Sequence, residues 1–337
     1  MSNLRLGILS FAHMHAYSYA ASILALPNCE LVAIYDDDEA RGQASAEQYQ
    51  TTYADDLESF LANNLDGVII CSENAYHRKH VEAAAGKVNY ILCEKPLATT
   101  LEDGRAMLEQ CRTTNTHLQL AFPVRFAPPV ERLRSAVQAG NLGTLYCATC
   151  TNHGKMPGGW FCDTSLAGGG AVMDHTVHVV DALRWITEAE VTEVYADIRS
   201  SLMHPKVNID DAGLLSFTMT GGLLTRPLMV SLDASWSRPE AYPTWGNVTL
   251  ELVGSNGTLW VDAFKQYATV HSNTLSTPEQ HYWGSNIDRR LIADFCEAIR
   301  TQRTPSITGE DGLKALEVAL AAYESAQLGR PQHLPKQ

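Results

Sequence analysis

Asn89-Tyr90-Ile91-Leu92-Cys93-Glu94-Lys95-Pro96-Leu97 reads as a short apolar strand stopped by an acid, a lysine and a proline. A strand with apolar side chains on both faces needs helices above and below it, which is the pattern of a parallel sheet. In such sheets ligands bind in the crevice beyond the carboxyl ends of the strands, where Glu94 and Lys95 would stand. A lysine there is half desolvated and suited to proton transfer. The bland alternative is a surface Glu-Lys pair before a turn, so the rest of the chain has to decide.

Upstream, the same strand signature occurs at Leu4–Leu9, Leu31–Tyr35 and Asp66–Cys71. Helical periodicity fills the gaps near His13–Leu26, Glu39–Gln50, Asp55–Ala62 and His77–Ala85, and again at Leu101–Thr113. This alternation predicts a Rossmann-type, doubly wound parallel sheet with right-handed crossovers. The first strand–helix turn of such a sheet normally carries three glycines for a dinucleotide pyrophosphate. Here it is Ser10-Phe11-Ala12-His13-Met14-His15, with Ser10, Ala12 and His15 at the glycine positions. The helix N-terminus still offers free N–H groups and a favourable dipole. Asp36 stands about 20 residues on, at a strand end, where an acid accepts hydrogen bonds from a ribose diol. Asp37 and Asp38 beside it disfavour a 2′-phosphate, and no arginine follows until Arg41, so NAD is expected over NADP. A helix N-cap is the competing explanation for the acidic triplet. His13 and His15 could face pyrophosphate or nicotinamide, bind a metal or merely cap the turn; no metal is expected. The polar loop Cys71-Ser72-Glu73-Asn74-Ala75-Tyr76-His77 opens at the same crevice and is expected to touch the cofactor.

From Phe122 the pattern changes, which suggests a first domain of 1–121 and a second of 122–337. Helical segments are expected up to Ala139, over Ala171–Ile186, and at Ile287–Arg300 and Gly309–Leu328. Alternating strands are expected at Gly143–Thr151, Glu193–Ser200, Gly213–Met219 and Pro227–Ser235, then at Val248–Val253 and Thr258–Val261, with a turn at Asn256-Gly257. The second domain is therefore read as α+β, an open, mostly antiparallel sheet with helices on one face. Within Gly168-Gly169-Gly170-Ala171-Val172-Met173-Asp174-His175-Thr176-Val177-His178, Asp174 and His178 are one helical turn apart on one face. The glycines let backbone pass close to something bulky. A carboxylate that orients an imidazole makes a base near neutral pH, fit to handle a hydroxyl proton.

The bulk properties narrow the class. The chain has 337 residues, 45% of them apolar, and a formal charge of −13. That charge argues against nucleic acid as a partner. No apolar run is long enough to span a membrane. The N-terminus enters a strand with no signal-peptide layout, and eight scattered cysteines suit a reducing compartment, so a cytoplasmic protein is expected. Cys147-x-x-Cys150 has metal-like spacing, but in a strand its members point to opposite faces.

Glu94-Lys95-Pro96, the glycine triplet and Asp174-x-x-x-His178 together resemble the Gfo/Idh/MocA oxidoreductase family, as does Gly254-Ser255-Asn256-Gly257-Thr258-Leu259. The resemblance spans nearly the whole chain. It implies an NAD(P)-dependent dehydrogenase acting on a sugar, sugar derivative or cyclic polyol. Lys95, Asp174 and His178 would form the catalytic set around the substrate. Ser10 to His15, Asp36, the Cys71–His77 loop, Glu94, Lys95 and Arg125 would line the NAD site, with Asp37 beside Asp36. In the mechanism it implies, His178, held by Asp174, takes the hydroxyl proton and Lys95 polarises the oxygen that becomes the carbonyl. His153, Trp160 and Trp236 are further candidates for the sugar pocket, since aromatic faces stack on sugar C–H surfaces. The loops Lys155–Leu166 and Ala241–Trp245 would shape that pocket. His175 is not part of the general pattern. Two rival functions are a redox-neutral, NAD-assisted lyase or glycosidase and a catalytically silent sugar-sensing regulator. An exposed sheet face would suit a homo-oligomer, dimer or tetramer.

Overall fold

The computed structural model describes residues 3–334 except positions 272, 275, 276, 278 and 283. The first half alternates strand and helix: β1 (Leu4–Leu9), α1 (His15–Ala25), β2 (Cys29–Tyr35), α2 (Glu39–Tyr49), β3 (Thr52–Tyr53) and α3 (Leu57–Leu61). β4 (Gly67–Ile70), α4 (His77–Ala84), β5 (Tyr90–Cys93), α5 (Leu101–Thr113) and β6 (His117–Leu120) complete it. The strands pair in the order β3-β2-β1-β4-β5-β6, all parallel. The order reverses between β1 and β4, which opens a crevice beyond their carboxyl ends. Ile8, Val68, Ile69, Ile91 and Leu92 are fully buried, as helices on both faces require.

The second half holds α6 (Pro128–Gln138), β7 (Leu145–Gly154), α7 (Thr164–Ala167) and α8 (Ala171–Thr187). After them come β8 (Glu190–Ser200), β9 (Asp210–Thr220), β10 (Leu228–Ser235), β11 (Gly246–Gly254) and β12 (Gly257–Asp262). A small hairpin, β13 (Tyr267–Val270) and β14 (Glu279–Tyr282), precedes α9 (Ile287–Thr301), α10 (Gly309–Leu328) and β15 (Gln332–His333). The larger sheet runs β12-β11-β7-β10-β9-β8-β15, and only its β7–β10 pair is parallel. Along β10, Leu228, Val230, Leu232 and Ala234 are buried while Met229 and Ser231 face outward. The buried side lies under α8, with α6 and α10 packed beside that helix. Cys147 is half-buried and Cys150 buried, in keeping with opposite faces.

Several details differ from the sequence reading. The β11–β12 hairpin pairs Gly254 with Gly257, so its two-residue turn is Ser255-Asn256 and Gly257 already belongs to the return strand. β3, β13, β14 and β15 were not anticipated, being short and without an apolar alternation. The closing helices also lie against the first sheet. Phe295 and Ile299 of α9 pack where a side chain at Gly67 would stand, and Gly312 of α10 packs on Leu120. No helix is long and apolar enough to cross a membrane among the described residues.

Candidate active site

Lys95 stands two residues beyond the end of β5, and α8 brings Asp174 to it from the second half of the chain. The Lys95 ammonium donates to Asp174 Oδ1, and both side chains are almost wholly buried. The other carboxylate oxygen, Oδ2, accepts from Trp236 Nε1 at 3.1 Å and lies 3.2 Å from His175 Nε2. Burial pushes the Asp174 carboxyl up, but Lys95 and His175 outweigh it and hold it well below the usual range. Asp174 is a fixed anion at neutral pH.

This arrangement corrects one expectation. Asp174 makes no hydrogen bond to His178; its two oxygens face Lys95, Trp236 and His175 instead. His178 borders the same cavity, but its Nδ1 is buried without a partner. Burial first, then the nearby Lys95 charge, pulls the His178 pKa well below the ordinary value. The ring is therefore neutral at neutral pH, with one nitrogen lone pair free to accept a hydrogen bond.

The glycine triplet serves packing of the protein on itself. Gly168 has φ +78, and a Cβ there would stand 2.7 Å from the Thr99 side chain. A Cβ on Gly170 would fall 2.0 Å from the Asp210 carbonyl oxygen. The Asp210 carboxylate accepts from Gly170 N at 2.7 Å and Val172 N at 2.9 Å, satisfying the first turn of α8. That cap fixes the helix whose next residues are Asp174 and His178.

The strand ends carry the second group. Ser10 adopts φ +70, so the turn keeps the left-handed conformation usually given to glycine. Phe11 N donates to Asp36 Oδ2 at 2.7 Å, and Ala12 N donates to Ser10 Oγ at 3.2 Å. Glu94 Oε1 accepts from Tyr19 Oη at 2.6 Å and lies 3.0 Å from His15 Nδ1, while Glu94 Oε2 accepts from Lys95 N at 3.1 Å. Burial pushes the Glu94 carboxyl up, but His13 and His15 more than offset it and hold it below the carboxylate range. For His15, Glu94 overcomes burial and raises the pKa. For His13, burial prevails and lowers it to about 3.

His13, His15 and Glu94 bring one potential ligand atom each within 4.8 Å of the others. Yet His15 N–H donates to His13 Nδ1 at 3.2 Å, which places the proton of the neutral His13 ring on Nε2. Nε2 is the nitrogen nearest Glu94, at 3.9 Å. Nε2 is buried without a hydrogen-bond partner, and a cation could use it only if this turn bond broke.

Lys95, Asp174, His175 and His178 share with His13, Met14 and His15 the wall of one cavity of about 250 Å³. Asn152, Phe161, Trp245, Val248 and Asp288 also line it. Its walls thus combine a polar cluster with an apolar surface, as a site for a small polar molecule does. Of the residues singled out from the sequence, several lie elsewhere. Trp236 is buried behind Asp174 and presents no face to the cavity. Trp160 stacks on Phe161 and donates from Nε1 to Ala12 O at 3.0 Å, so it braces the fingerprint turn while Phe161 reaches the cavity. His153 lies 3.0 Å from Asp233 Oδ2 and accepts from Arg238 at 3.0 Å, away from the cavity. Arg125 is held by a buried ion pair with Asp181 and a second contact to Asp311, and it is not among the residues that line the cavity.

In the polar loop, Asn74 holds Ala167 O at 2.8 Å, and His77 sits between the carbonyls of Pro96 and Ser72. Ser72 Oγ pairs with His80, and Cys71 O accepts from His13 N, so these residues brace the crevice. Asp37 is taken by Lys79 and His80. Asp36 is engaged at both oxygens by Arg41, at 2.8 and 2.6 Å, with Glu73 4.0 Å from the same guanidinium. Asn152 and Asp288 escaped the sequence reading, whereas Phe161 and Trp245 belong to the two loops expected to shape the pocket. Only the folding of β7 and α9 onto one point reveals the first two.

The family models match this division of the chain. Residues 5–122 match an oxidoreductase family described as an NAD-binding Rossmann fold, and residues 130–260 match a GFO/IDH/MocA C-terminal domain. The chain belongs to the Gfo/Idh/MocA oxidoreductase family. An uncharacterized oxidoreductase, YrbE, from Bacillus subtilis is 27% identical over 93% of this chain and 92% of its own. Myo-inositol 2-dehydrogenase from Thermotoga maritima is 25% identical, covering 96% of each chain. The crystal structure of GenD2 from gentamicin A biosynthesis, in complex with NAD, superposes with a TM-score of 0.87 at 22% identity, covering 100% of this chain and 97% of that one. The glycine-free turn fits the NAD-binding assignment. Ser10 supplies the positive φ, Ala12 keeps the turn small, and Asp36 closes β2 beside it.

Proposed function

We propose that this protein is an NAD(P)-dependent dehydrogenase that interconverts a secondary hydroxyl and a ketone on a sugar, sugar derivative or cyclic polyol. The observation that carries the reading is the Lys95–Asp174 pair beside a neutral His178 in the cavity between the two sheets. Relatives named for inositol oxidation support the substrate class. Ser10 to His15, Asp36 and Glu94 would hold the dinucleotide, with NAD the expected form and NADP secondary. When bound, the nicotinamide supplies the hydride acceptor. His178 takes the proton of the substrate hydroxyl, and the Lys95 ammonium donates to the oxygen as negative charge develops on it. Asp174 does not orient His178. It fixes Lys95, and Trp236 and His175 fix Asp174.

The same proposal divides the chain at residue 121 and places the protein in the cytoplasm as a homo-oligomer. Tyr195, Leu214 and Met229 on the uncovered face of the larger sheet support self-association, since they are 45%, 63% and 63% exposed. The test is a screen of sugars, sugar acids and inositols with NAD and NADP, following both reduced nicotinamide and substrate loss. Turnover of a sugar or polyol with matching NADH formation supports the reading. Substrate loss without NADH would replace it with redox-neutral elimination, and binding without turnover would replace it with sensing.

A further inference from the structure

Cys29 opens β2, at the end of the strand opposite the active-site crevice, and Cys296 sits on α9, 267 residues later. Their Sγ atoms are 3.5 Å apart. Arg300, one turn further along α9, donates to the carbonyls of Pro27 and Asn28 at 3.1 and 3.0 Å and lies 3.2 Å from Cys29 Sγ. Cys29 is half-buried and reachable from solvent, whereas Cys296 is fully buried behind it. The Cys296 thiol and the guanidinium outweigh burial and lower the Cys29 thiol to about 6. A thiolate next to arginine with a second sulfur in contact is the environment of a reactive cysteine with a resolving partner.

We propose that Cys29 and Cys296 form an oxidation-sensitive dithiol, closed to a disulfide by a hydroperoxide and reopened by a thiol reductant. Cys29 Sγ attacks the peroxide oxygen. An S–O bond forms, the O–O bond breaks, and the alkoxide leaves as alcohol after taking a proton, giving a sulfenic acid. Cys296 Sγ then attacks the Cys29 sulfur. The S–S bond forms, the S–O bond breaks, and the hydroxyl leaves as water with the Cys296 proton. Two thiols lose two electrons, and the hydroperoxide is reduced to alcohol and water. The sulfurs, 3.5 Å apart, need to approach by about 1.5 Å to reach bonding distance. The bond would staple the nucleotide-binding sheet to the helix whose first turn, Ile287 and Asp288, lines the active-site cavity.

The full-length protein is treated with hydrogen peroxide, alkylated, digested and mapped by mass spectrometry, with thermal unfolding followed in parallel. The expected product is one cross-linked pair of peptides containing Cys29 and Cys296, reversed by dithiothreitol, with a higher Tm than the reduced form. In Cys296→Ser, Cys29 should accumulate as a sulfenic acid that dimedone traps. Alkylation of both residues at peroxide levels that already oxidise Cys162, another half-buried cysteine, would overturn the proposal. So would a Cys29 disulfide to any other cysteine. The wild-type peptide map decides the matter even if a variant fails to fold.

Discussion

The Lys95–Asp174 pair makes a quantitative demand on stability. Both side chains are nearly excluded from water, at 5% and 10% exposure. Removing one partner of such a pair costs ~3–5 kcal/mol, because the other charge is left buried. The two single changes should differ. In Lys95→Met the Asp174 carboxylate keeps Trp236 and His175, so the loss should fall near ~3 kcal/mol. In Asp174→Asn the buried ammonium loses the carboxylate that neutralises it, and the loss should approach ~5 kcal/mol. The double variant Lys95→Met/Asp174→Asn buries no charge at this point. Its loss should be smaller than the sum of the singles by ~2–3 kcal/mol. Urea unfolding at neutral pH, extrapolated to water for all four proteins, measures that coupling. Additivity to within ~0.5 kcal/mol would refute the reasoning, since independent sites add to that tolerance.

Two other consequences concern cofactor choice and acid stability. Arg41 occupies both oxygens of Asp36, so Arg41→Ala should free that carboxylate for a ribose diol and remove the cation a 2′-phosphate would need. The NADH-to-NADPH affinity ratio should rise by ~10-fold, equivalent to ~1.4 kcal/mol, in fluorescence titrations, and an unchanged ratio would disprove the role. His13 is held neutral down to about 3 mainly by burial. Below its ordinary value of 6.5 the unfolded chain binds a proton there that the folded chain does not. Stability should thus be retained above pH 6.5 and fall on acidification by ~1.4 kcal/mol per pH unit from this ring alone. His13→Gln should flatten the stability profile between pH 6.5 and 4.5 by that slope, and an unaltered slope would count against a neutral buried ring.

Much of the fold was legible because the parallel strands carry their signal locally. Leu4–Leu9 and Tyr90–Cys93 are apolar on both faces, and α5 begins and ends where its periodicity does. Lys95, Asp174 and His178 were legible for a related reason, since a strand end and a helical spacing of four fix their positions. What Asp174 binds was not. Its choice of Lys95 over His178 depends on Trp236 arriving from the end of β10 and His175 turning toward it, and no local pattern encodes either. Arg125 misled for the same reason: its partners, Asp181 and Asp311, are distant in sequence. The covering of the first sheet by α9 and α10 was hidden because an amphipathic helix records that it packs without recording against what.

The central claim is that the Lys95 ammonium acts on the reacting oxygen. The most direct measurement compares Lys95→Ala with the unaltered protein on one sugar or polyol that the latter oxidises, reading turnover and NADH affinity side by side. The account predicts that turnover falls by at least ~100-fold, as for loss of an oxyanion donor, while NADH affinity stays the same. Near-normal turnover in that variant would contradict it.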